Sequence, residues 1–378
     1  MDADRLPVYL RDPFRVRRFR RLYWMGLRRE GRRFSPDDLD GRDNLPFRRA
    51  GALGEIFNIS ERMARLANQD KKSGNIEHKH FYDICEYFNA GDVLVLNDTR
   101  VLPARIFGNR PKKEEKIEVL LLSKQSDDIW ECLVRPGKKM KIGTIIEFSN
   151  ILKGEVLDIT ESGERIIKFT YDGIFENILD EVGIIPLPPY IHEKLEDKER
   201  YQTIYSKYKG SVAAPTAGLH FTEELLKKIR EKGVKTVYLT LHVGLGTFRP
   251  VKEDNIEDHI MHTEIYNVPE ETIDVIKKAK KSGNRIFAVG TTSVRTLESL
   301  SHSDTGFKAG YGDTNIFIYP GFEFKIVDVL ITNFHLPKST LLMLVSAFSD
   351  REKVLIAYEE AKKNDYRFFS FGDAMLLI

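Results

Sequence analysis

Three histidines stand next to predicted strands and helices, where they could transfer protons. His242 ends an alternating strand over Val234–Val243, His220 precedes a capped helix, and His335 follows the strand Val327–Ile331. Imidazole titrates near pH 7, so a histidine can take up or deliver a proton under physiological conditions. We predict that these three residues are acid–base groups. The alternative for each is a hydrogen-bonded structural histidine.

Two further polar loops follow predicted strands. Asp98 comes after the strand Asp92–Leu96, in the polar loop Asn97-Asp98-Thr99-Arg100. The second loop opens a helix, where free backbone N–H groups favour a carboxylate or phosphate, with an ordinary tight turn as the alternative. Its residues are Gly290, Thr291, Thr292 and Ser293. The chain lacks GxxxxGK[ST] and GxGxxG, which weighs against nucleoside-triphosphate and nicotinamide chemistry.

The densest basic cluster outside the N-terminal region lies on a turn between short predicted strands. Its cations are Arg135, Lys138, Lys139 and Lys141. The whole chain has a net charge of only +2, so a nucleic-acid partner requires such a local patch. A solvated hairpin tip is the alternative. His259, His262 and Glu264 give a weak metal signal without HExxH or a cysteine partner, and we predict no metal site.

The elements that position these residues predict an α/β protein with an inserted β unit. After Pro186, three strand–loop–helix passages favour a largely parallel, helix-covered sheet, whose ligands bind beyond the carboxyl ends of its strands. Between them and the strand at 92–96, short strands alternate with turns, which is typical of a small all-β unit. We therefore predict a large α/β domain in two segments, 58–100 and 186–378, with a small all-β unit inserted at 101–185.

Composition limits the setting and sets the first 57 residues apart. The 378-residue chain has no apolar run long enough for a membrane span and only two cysteines without a CxxC motif, so we expect a cytoplasmic protein. Residues 1–50 hold fourteen arginines, no lysine and eight acids, unlike the lysine-rich remainder. This atypical segment, 1–57, is interpreted as a disordered or adventitious extension. A phosphate-binding arm and, less well because of its acids, a transit peptide are the alternatives.

Long strings in the loops resemble one family. They are Val93–Val101, Pro103–Arg105, Pro186–Ile191, Arg200–Thr203, Ala213–Phe221, Thr240–Phe248, Gly290–Leu297, Ile331–Thr340 and Tyr366–Met375. From about Arg62 to the C-terminus, the chain is similar to the S-adenosylmethionine:tRNA ribosyltransferase-isomerases of queuosine biosynthesis. The family fold, a two-segment α/β domain with an inserted β-barrel, agrees with the fold predicted from the pattern.

The resemblance implies a transferase that uses S-adenosylmethionine as a ribosyl donor. The ribosyl unit is transferred to 7-aminomethyl-7-deazaguanine at the tRNA wobble position and isomerised to give epoxyqueuosine, while adenine and methionine leave. It implies no cofactor beyond S-adenosylmethionine as co-substrate, no metal and no membrane. The expected partners are S-adenosylmethionine and a tRNA carrying the modified base, and we expect a monomer.

Roles follow as hypotheses from position. His242 or His220 would take or relay the proton next to the sulfonium, and the other histidine or Asp98 would protonate the departing adenine. Arg295 with the helix after Gly290 would fix the methionine carboxylate, while Phe221 or Phe248 would face the sulfonium. The remaining candidates for substrate binding are Gly244, Gly246 and Thr247. For tRNA they are Arg100 and Arg105, together with the basic turn.

Two departures from the family pattern matter. The usual N-terminal segment is replaced, and only Arg62–Leu66 resembles its end; Lys113–Lys116 replaces a glycine pair. One alternative function is therefore a non-catalytic tRNA-binding relative disabled by its N-terminus. The other is an RNA methyltransferase, which the absence of a glycine-rich dinucleotide signature disfavours.

Overall fold

A computed structural model of the chain describes residues 64–188, 190–191, 195, 197–244, 256, 259, 261–303 and 306–378. The atypical segment 1–57 lies outside the described residues, as do three candidate substrate-binding residues, Gly246, Thr247 and Phe248. In this part of the chain, no helix is long and apolar enough to cross a membrane.

Nine of the described strands form one mixed sheet. Its spatial order is β15-β13-β12-β3-β14-β16-β17-β1-β2. The strands are β1 (Arg65–Gln69), β2 (Ile76–His80), β3 (Val93–Asn97), β12 (Lys235–Leu241), β13 (Glu264–Val268), β14 (Ile286–Val289), β15 (Gly310–Thr314), β16 (Val329–Asn333) and β17 (Ala374–Leu377).

The predicted parallel arrangement is confirmed at the centre of the sheet. Strands β12, β3, β14 and β16 pair in parallel, and β1 pairs in parallel with β17. The sheet is less parallel towards its ends than we predicted, because the remaining pairings among the described strands are antiparallel. Strand β17 enters from the carboxyl edge of β16 and must therefore run back against it.

Helices cover both faces, as the α/β pattern predicts. The described α-helices are α1 (Phe175–Val182), α2 (Glu223–Glu231), α3 (Glu270–Lys281), α4 (Gly290–Ser301), α5 (Thr340–Phe348) and α6 (Arg351–Lys363), of which α2 to α6 pack on the sheet. The start of α2 is fixed by the side chain of Thr222, which accepts a hydrogen bond from the Leu225 amide. Its apolar stripe packs on the sheet face that carries Leu94 and Leu96, while α3 to α6 pack on the opposite face.

The inserted β unit is a closed barrel, in agreement with the predicted fold class. Its strands are β5 (Arg105–Asn109), β6 (Lys116–Lys124), β7 (Ile129–Arg135), β8 (Ile145–Ser149), β9 (Leu152–Ile159) and β10 (Arg165–Tyr171). Alternate side chains fill the interior, and α1 contributes Phe175, Ile178 and Leu179 to the same core. All six strands lie within 101–185, which we keep as the proposed insertion, with 58–100 and 186–378 as the proposed large domain.

The barrel joins the α/β part through a short parallel pair, β4 (Thr99–Val101) and β11 (Tyr208–Ser211). Beside it, the Gln202 amide accepts a hydrogen bond from the Val101 N–H at 2.9 Å and donates one to the Val101 carbonyl at 3.0 Å. This buried side chain therefore completes the backbone pairing that β4 lacks. Because β4 directly follows β3, the joint lies next to the carboxyl ends of the central strands.

Candidate active site at the carboxyl edge of the sheet

The carboxyl ends of β12, β3, β14 and β16 bring four polar positions to one edge of the sheet. His242 follows β12, Asp98 follows β3, Gly290 follows β14 and Asn333 ends β16. We call this region the carboxyl edge. It is where an α/β sheet binds ligands, because the loops and helix N-termini converge there.

His242 is held from three sides. Its Nδ1 lies 2.8 Å from the Thr99 hydroxyl oxygen, and its backbone N–H donates to the Ile265 carbonyl at 3.0 Å. The imidazole also lies against Gly210, where a Cβ atom would come within 2.7 Å of the ring. Burial lowers the pKa of His242, so the imidazole is neutral at pH 7.

Asp98 lies at the end of the neighbouring strand in a buried position. Its carboxylate accepts a hydrogen bond from the Thr240 hydroxyl at 2.6 Å. Burial raises the pKa of Asp98, while the Thr240 hydrogen bond and the charge of Lys207 act in the opposite direction. Asp98 therefore holds a proton more readily than an exposed aspartate, which suits a group that exchanges protons.

His220 ends a short 3-10 segment, Thr216–His220, that covers the end of β16. The Asn333 side-chain N–H₂ lies 3.3 Å from His220 Nε2, and Asn333 Oδ1 accepts from the Thr216 hydroxyl at 2.9 Å. Burial lowers the pKa of His220 to about 4, partly offset by the Asp373 carboxylate. Asn333 lies in a loop that the sequence singles out, but nothing in the sequence showed that it would hold His220.

His220 and His242 lie at the same edge without being neighbours. The ends of β12 and β16 are separated by β3 and β14, which is three strand spacings or about 14 Å. Asp98 and the start of α4 lie between them. The two histidines would therefore act on different parts of a substrate.

The structure places His335 on the other face of the sheet. Its Nε2 lies 2.7 Å from the hydroxyl of Thr332, and Thr332 and Asn333 point to opposite faces because they are adjacent in β16. The His335 N–H also donates to the Tyr358 hydroxyl at 2.9 Å, and burial lowers its pKa to about 4. Unlike His220 and His242, this predicted catalytic residue is not brought to the group around Asp98.

The start of α4 has the features of an anion site. Gly290 begins the helix with φ +81°, and among the described residues no side chain caps its first turn. The Ser293 hydroxyl donates to the Val289 carbonyl at 2.8 Å, so it is already used. The buried hydroxyl of Thr292 has no hydrogen-bond partner in the described structure. Free N–H groups and an unpaired hydroxyl at a helix N-terminus favour a carboxylate.

Arg295, which we predicted to fix a substrate carboxylate, is already paired within the protein, and only its Nη2 has no hydrogen-bond partner in the described structure. Its guanidinium is buried and pairs with the buried carboxylate of Glu264. The other oxygen of Glu264 accepts from the Gly244 N–H at 3.1 Å. The pair therefore fastens the start of the loop after β12 to α4. From its sequence pattern, Glu264 was only a weak candidate for a metal ligand. In the described part of the chain, no metal-binding group of three His, Cys, Asp or Glu occurs.

Comparison with known proteins identifies the family. The family described as "Queuosine biosynthesis protein" matches residues 58–377. The chain belongs to this family. The match leaves out residues 1–57, the segment set apart by its composition.

Two similar proteins carry the same name. The Finegoldia magna protein named S-adenosylmethionine:tRNA ribosyltransferase-isomerase is 64% identical over 315 residues, covering 83% of this chain and 91% of that protein. Its Clostridioides difficile namesake is 59% identical, covering 83% and 92%. A crystal structure of S-adenosylmethionine tRNA ribosyltransferase from Thermotoga maritima is 40% identical and covers 84% of this chain and 93% of that one, with a TM-score of 0.48. The resemblance and the transferase class are confirmed.

Phe221, one of two phenylalanines that we predicted from position to face the sulfonium, does not face the carboxyl edge. Its side chain is fully buried and packs edge-on against Phe81, with ring centroids 5.1 Å apart. Phe221 therefore supports the core beneath His220, whose ring lies 4.8 Å from the same Phe81.

Several arginines predicted to bind tRNA are paired within the protein. Arg100 pairs with Glu199 and donates to the Ser206 hydroxyl, and Arg105 lies 3.0 Å from Glu118. On the basic turn, Lys139 pairs with Glu115 at 2.6 Å. The other cations of the turn, Arg135, Lys138 and Lys141, are exposed.

A buried carboxylate that sequence analysis missed ties the C-terminal tail to the first strand. Asp373 accepts hydrogen bonds from the backbone and side chain of both Arg65 and Arg367. Burial alone would raise the pKa of Asp373, but these hydrogen bonds outweigh it and lower the pKa. Arg65 therefore holds a carboxylate whose charge acts on His220.

Proposed function

We propose that the chain transfers and isomerises the ribosyl moiety of S-adenosylmethionine onto 7-aminomethyl-7-deazaguanine at the tRNA wobble position. The product is epoxyqueuosine, and adenine and methionine are released. The observation that carries the proposal is the combination of a neutral His242, a buried Asp98 and an uncapped helix start on one edge, in a chain of this family. The reaction needs a base, an acid and a carboxylate site, and this edge offers all three.

His242 is the proposed general base. The sulfonium of S-adenosylmethionine acidifies the neighbouring C5′ proton, and a neutral imidazole can remove it. Because Nδ1 is engaged by Thr99, the proton would be taken by Nε2. His220 is less suited to this role because its ring is more deeply buried and is held by Asn333. We assign His220 to positioning at the far end of the substrate.

Asp98 is the proposed partner of the departing adenine. Adenine leaves more easily when a ring nitrogen is protonated, and a buried carboxyl group with a raised pKa can supply that proton. The start of α4 would hold the methionine carboxylate through its free N–H groups and the Thr292 hydroxyl. Gly244 lies two residues after the proposed base His242. Substrate binding by Gly246, Thr247 and Phe248 stays a prediction.

The proposal includes S-adenosylmethionine as co-substrate without a further cofactor, a cytoplasmic reaction on tRNA, and a monomeric enzyme. The monomer is tested by light scattering during size-exclusion chromatography. A mass near 44 kDa is expected from the calculated 43.6 kDa of the chain.

The decisive assay combines the full chain, S-adenosylmethionine and tRNA carrying the aminomethyl-deazaguanine. Free adenine and the mass of the modified nucleoside are followed together. We expect stoichiometric adenine release with the mass gain of the ribosyl-derived unit. Transfer of a methyl group instead would establish the methyltransferase alternative. Tight tRNA binding without adenine release would establish the non-catalytic relative, and a chain with residues 1–57 replaced by a family-type segment would then locate the defect.

A further inference from the structure

Two neighbouring turns of the barrel form a strongly basic surface, of which the sequence showed only half. One turn spans Arg110–Lys116 and the other spans Arg135–Lys141; together we call them the two-turn surface. They carry eight cations and two carboxylates, a net charge of +6, whereas the whole chain carries +2. This concentration is more than a random surface turn would need for solubility.

The register of the strands brings both turns to the barrel end farther from the α/β joint. Strand β5 leaves the joint at Arg105 and reaches the first turn after Asn109. In the antiparallel backbone register, Glu118 near the start of β6 lies opposite Arg135 at the end of β7. An ion pair at 2.6 Å between Lys139 and Glu115 joins the two turns directly.

The second turn has a fixed backbone. Met140 is fully buried in the barrel core. The Arg165 guanidinium donates to the Met140 carbonyl at 3.0 Å and to the Gly137 carbonyl at 2.6 Å. The lysines on either side of Met140 are therefore presented at defined positions on a rigid base, which lowers the entropy lost when they bind a ligand.

The cations of the two-turn surface differ in their partners. Glu115 pairs with Lys139 and, at 3.0 Å, with Arg110. Other cations are exposed, and the described structure gives them no ion pair; they are Lys112, Lys113, Arg135, Lys138 and Lys141. Arg100 and Arg105, near the joint, are in contrast each paired with a glutamate. Most of the unpaired positive charge of the described barrel thus lies at its far end.

We propose that the two-turn surface binds the phosphate backbone of RNA and that Glu115 restrains its affinity by occupying two of the cations. Exposed lysines and arginines bind phosphates by releasing condensed counterions, so their contribution falls with salt. That the RNA is the substrate tRNA rests on the proposed function. The candidate active site at the carboxyl edge and the RNA-binding surface then lie on different parts of the molecule, which are joined through β4 and β11.

The test measures the dissociation constant for tRNA over a series of salt concentrations. The variant combines Lys112→Ala, Lys113→Ala, Lys138→Ala and Lys141→Ala. Each lost phosphate contact makes the plot of the logarithm of the association constant against the logarithm of the salt concentration less steep by about 0.7–0.9. The loss of four contacts makes it less steep by about 3. The matched control removes four exposed lysines from α2 and α3, with Lys228→Ala, Lys277→Ala, Lys278→Ala and Lys281→Ala. We expect the control to keep the slope of the parent chain, and thermal unfolding verifies that both variants are folded.

A single substitution tests the role of Glu115, and its expected effect on tRNA binding is opposite to that of the four lysine substitutions. Glu115→Gln releases Arg110 and Lys139, so tRNA binding should tighten and its salt slope should steepen by about 1–2. Glu114→Gln changes the net charge equally but breaks no ion pair of the described structure, and it should have the smaller effect. Equal effects of the two substitutions would overturn the restraint by Glu115.

The outcomes separate the surface from the proposed function. An unchanged slope in the four-lysine variant overturns the two-turn surface even if the parent chain binds tRNA and releases adenine. If the parent chain binds polyuridylate through these lysines but does not modify tRNA, the surface stands and the proposed reaction fails. Binding to anionic phospholipid vesicles but to neither RNA overturns the RNA assignment.

Discussion

At the carboxyl edge, charged and titratable groups are buried and held by specific partners, whereas on the two-turn surface most cations are exposed to water. Asp98 is bonded to Thr240, and Glu264 is paired with Arg295. Lys112 and Lys138 lie in the open, on turns fixed from beneath. Proton transfer needs groups with shifted pKa values and fixed orientation, while phosphate binding needs accessible charge. The difference supports the two proposals, which place the chemistry in the α/β part and RNA binding on the barrel.

The largest expected effect is on the proposed proton transfer at the carboxyl edge. His242→Ala removes the proposed base and should lower kcat for adenine release by ~10²–10⁴-fold. His242→Gln keeps a polar side chain opposite Thr99 and should be similarly impaired, because glutamine cannot take the proton. Partial recovery of His242→Ala with added imidazole would sharpen the assignment. Unchanged turnover would remove His242 from the reaction.

The next effect concerns the buried ion pair. Glu264→Gln leaves the Arg295 charge buried without its counter-charge, which should destabilise the fold by about 3–5 kcal/mol. The measurement is the free energy of unfolding in denaturant. In Glu264→Gln with Arg295→Met no buried charge remains, so that double variant should recover much of the loss. If it is as unstable as the single variant, the ion pair is not the cause.

The third effect is a loss of stability in acid. Burial lowers the pKa of His220 to about 4, so the unfolded chain binds the proton more readily than the folded one. Stability from this group is therefore complete above pH 6.5 and is lost as the pH falls towards 4, by roughly 3 kcal/mol. His220→Gln should flatten the fall in the free energy of unfolding over that range. A variant with the same acid sensitivity as the parent would contradict the buried neutral state.

The smallest effect tests whether catalysis depends on the position of the His242 ring as well as on its presence. Gly210→Ala puts a methyl group within 2.7 Å of the His242 ring and must displace it. A displacement of about 1 Å in a catalytic group costs ~10²-fold in rate. We expect kcat to fall by about that factor while the salt slope of tRNA binding stays constant. Gly143→Ala serves as the barrel control, because Gly143, like Gly210, has a positive φ, but no atom lies within 4 Å of its added Cβ.

Local pattern was sufficient for much of the fold. In β12, Val237, Leu239 and Leu241 alternate with polar residues, and this predicted both the strand and the face that is buried. Short strands between turns predicted an all-β unit, and the family resemblance implied that it is a barrel. Pattern did not predict that β17 runs antiparallel to β16, because strand direction depends on which edge the preceding loop crosses.

The site was predictable where position along a strand decides it. Asp98 and His242 follow neighbouring parallel strands, so their approach to one edge follows from the pattern. The role of Arg295 was not predictable, since its partner Glu264 is 31 residues away and on another strand. His335 was misplaced for a similar reason, because a hydrogen bond to Thr332 turns it to the other face.

The proposed division of labour between the carboxyl edge and the two-turn surface is tested most directly by measuring kcat and KM for tRNA in adenine release, in parallel for His242→Ala and the four-lysine variant. We predict that His242→Ala loses kcat with little change in tRNA affinity, whereas the loss in the four-lysine variant lies in KM and grows with salt. Loss of kcat in the lysine variant at saturating tRNA, or loss of tRNA affinity in His242→Ala, would contradict the account.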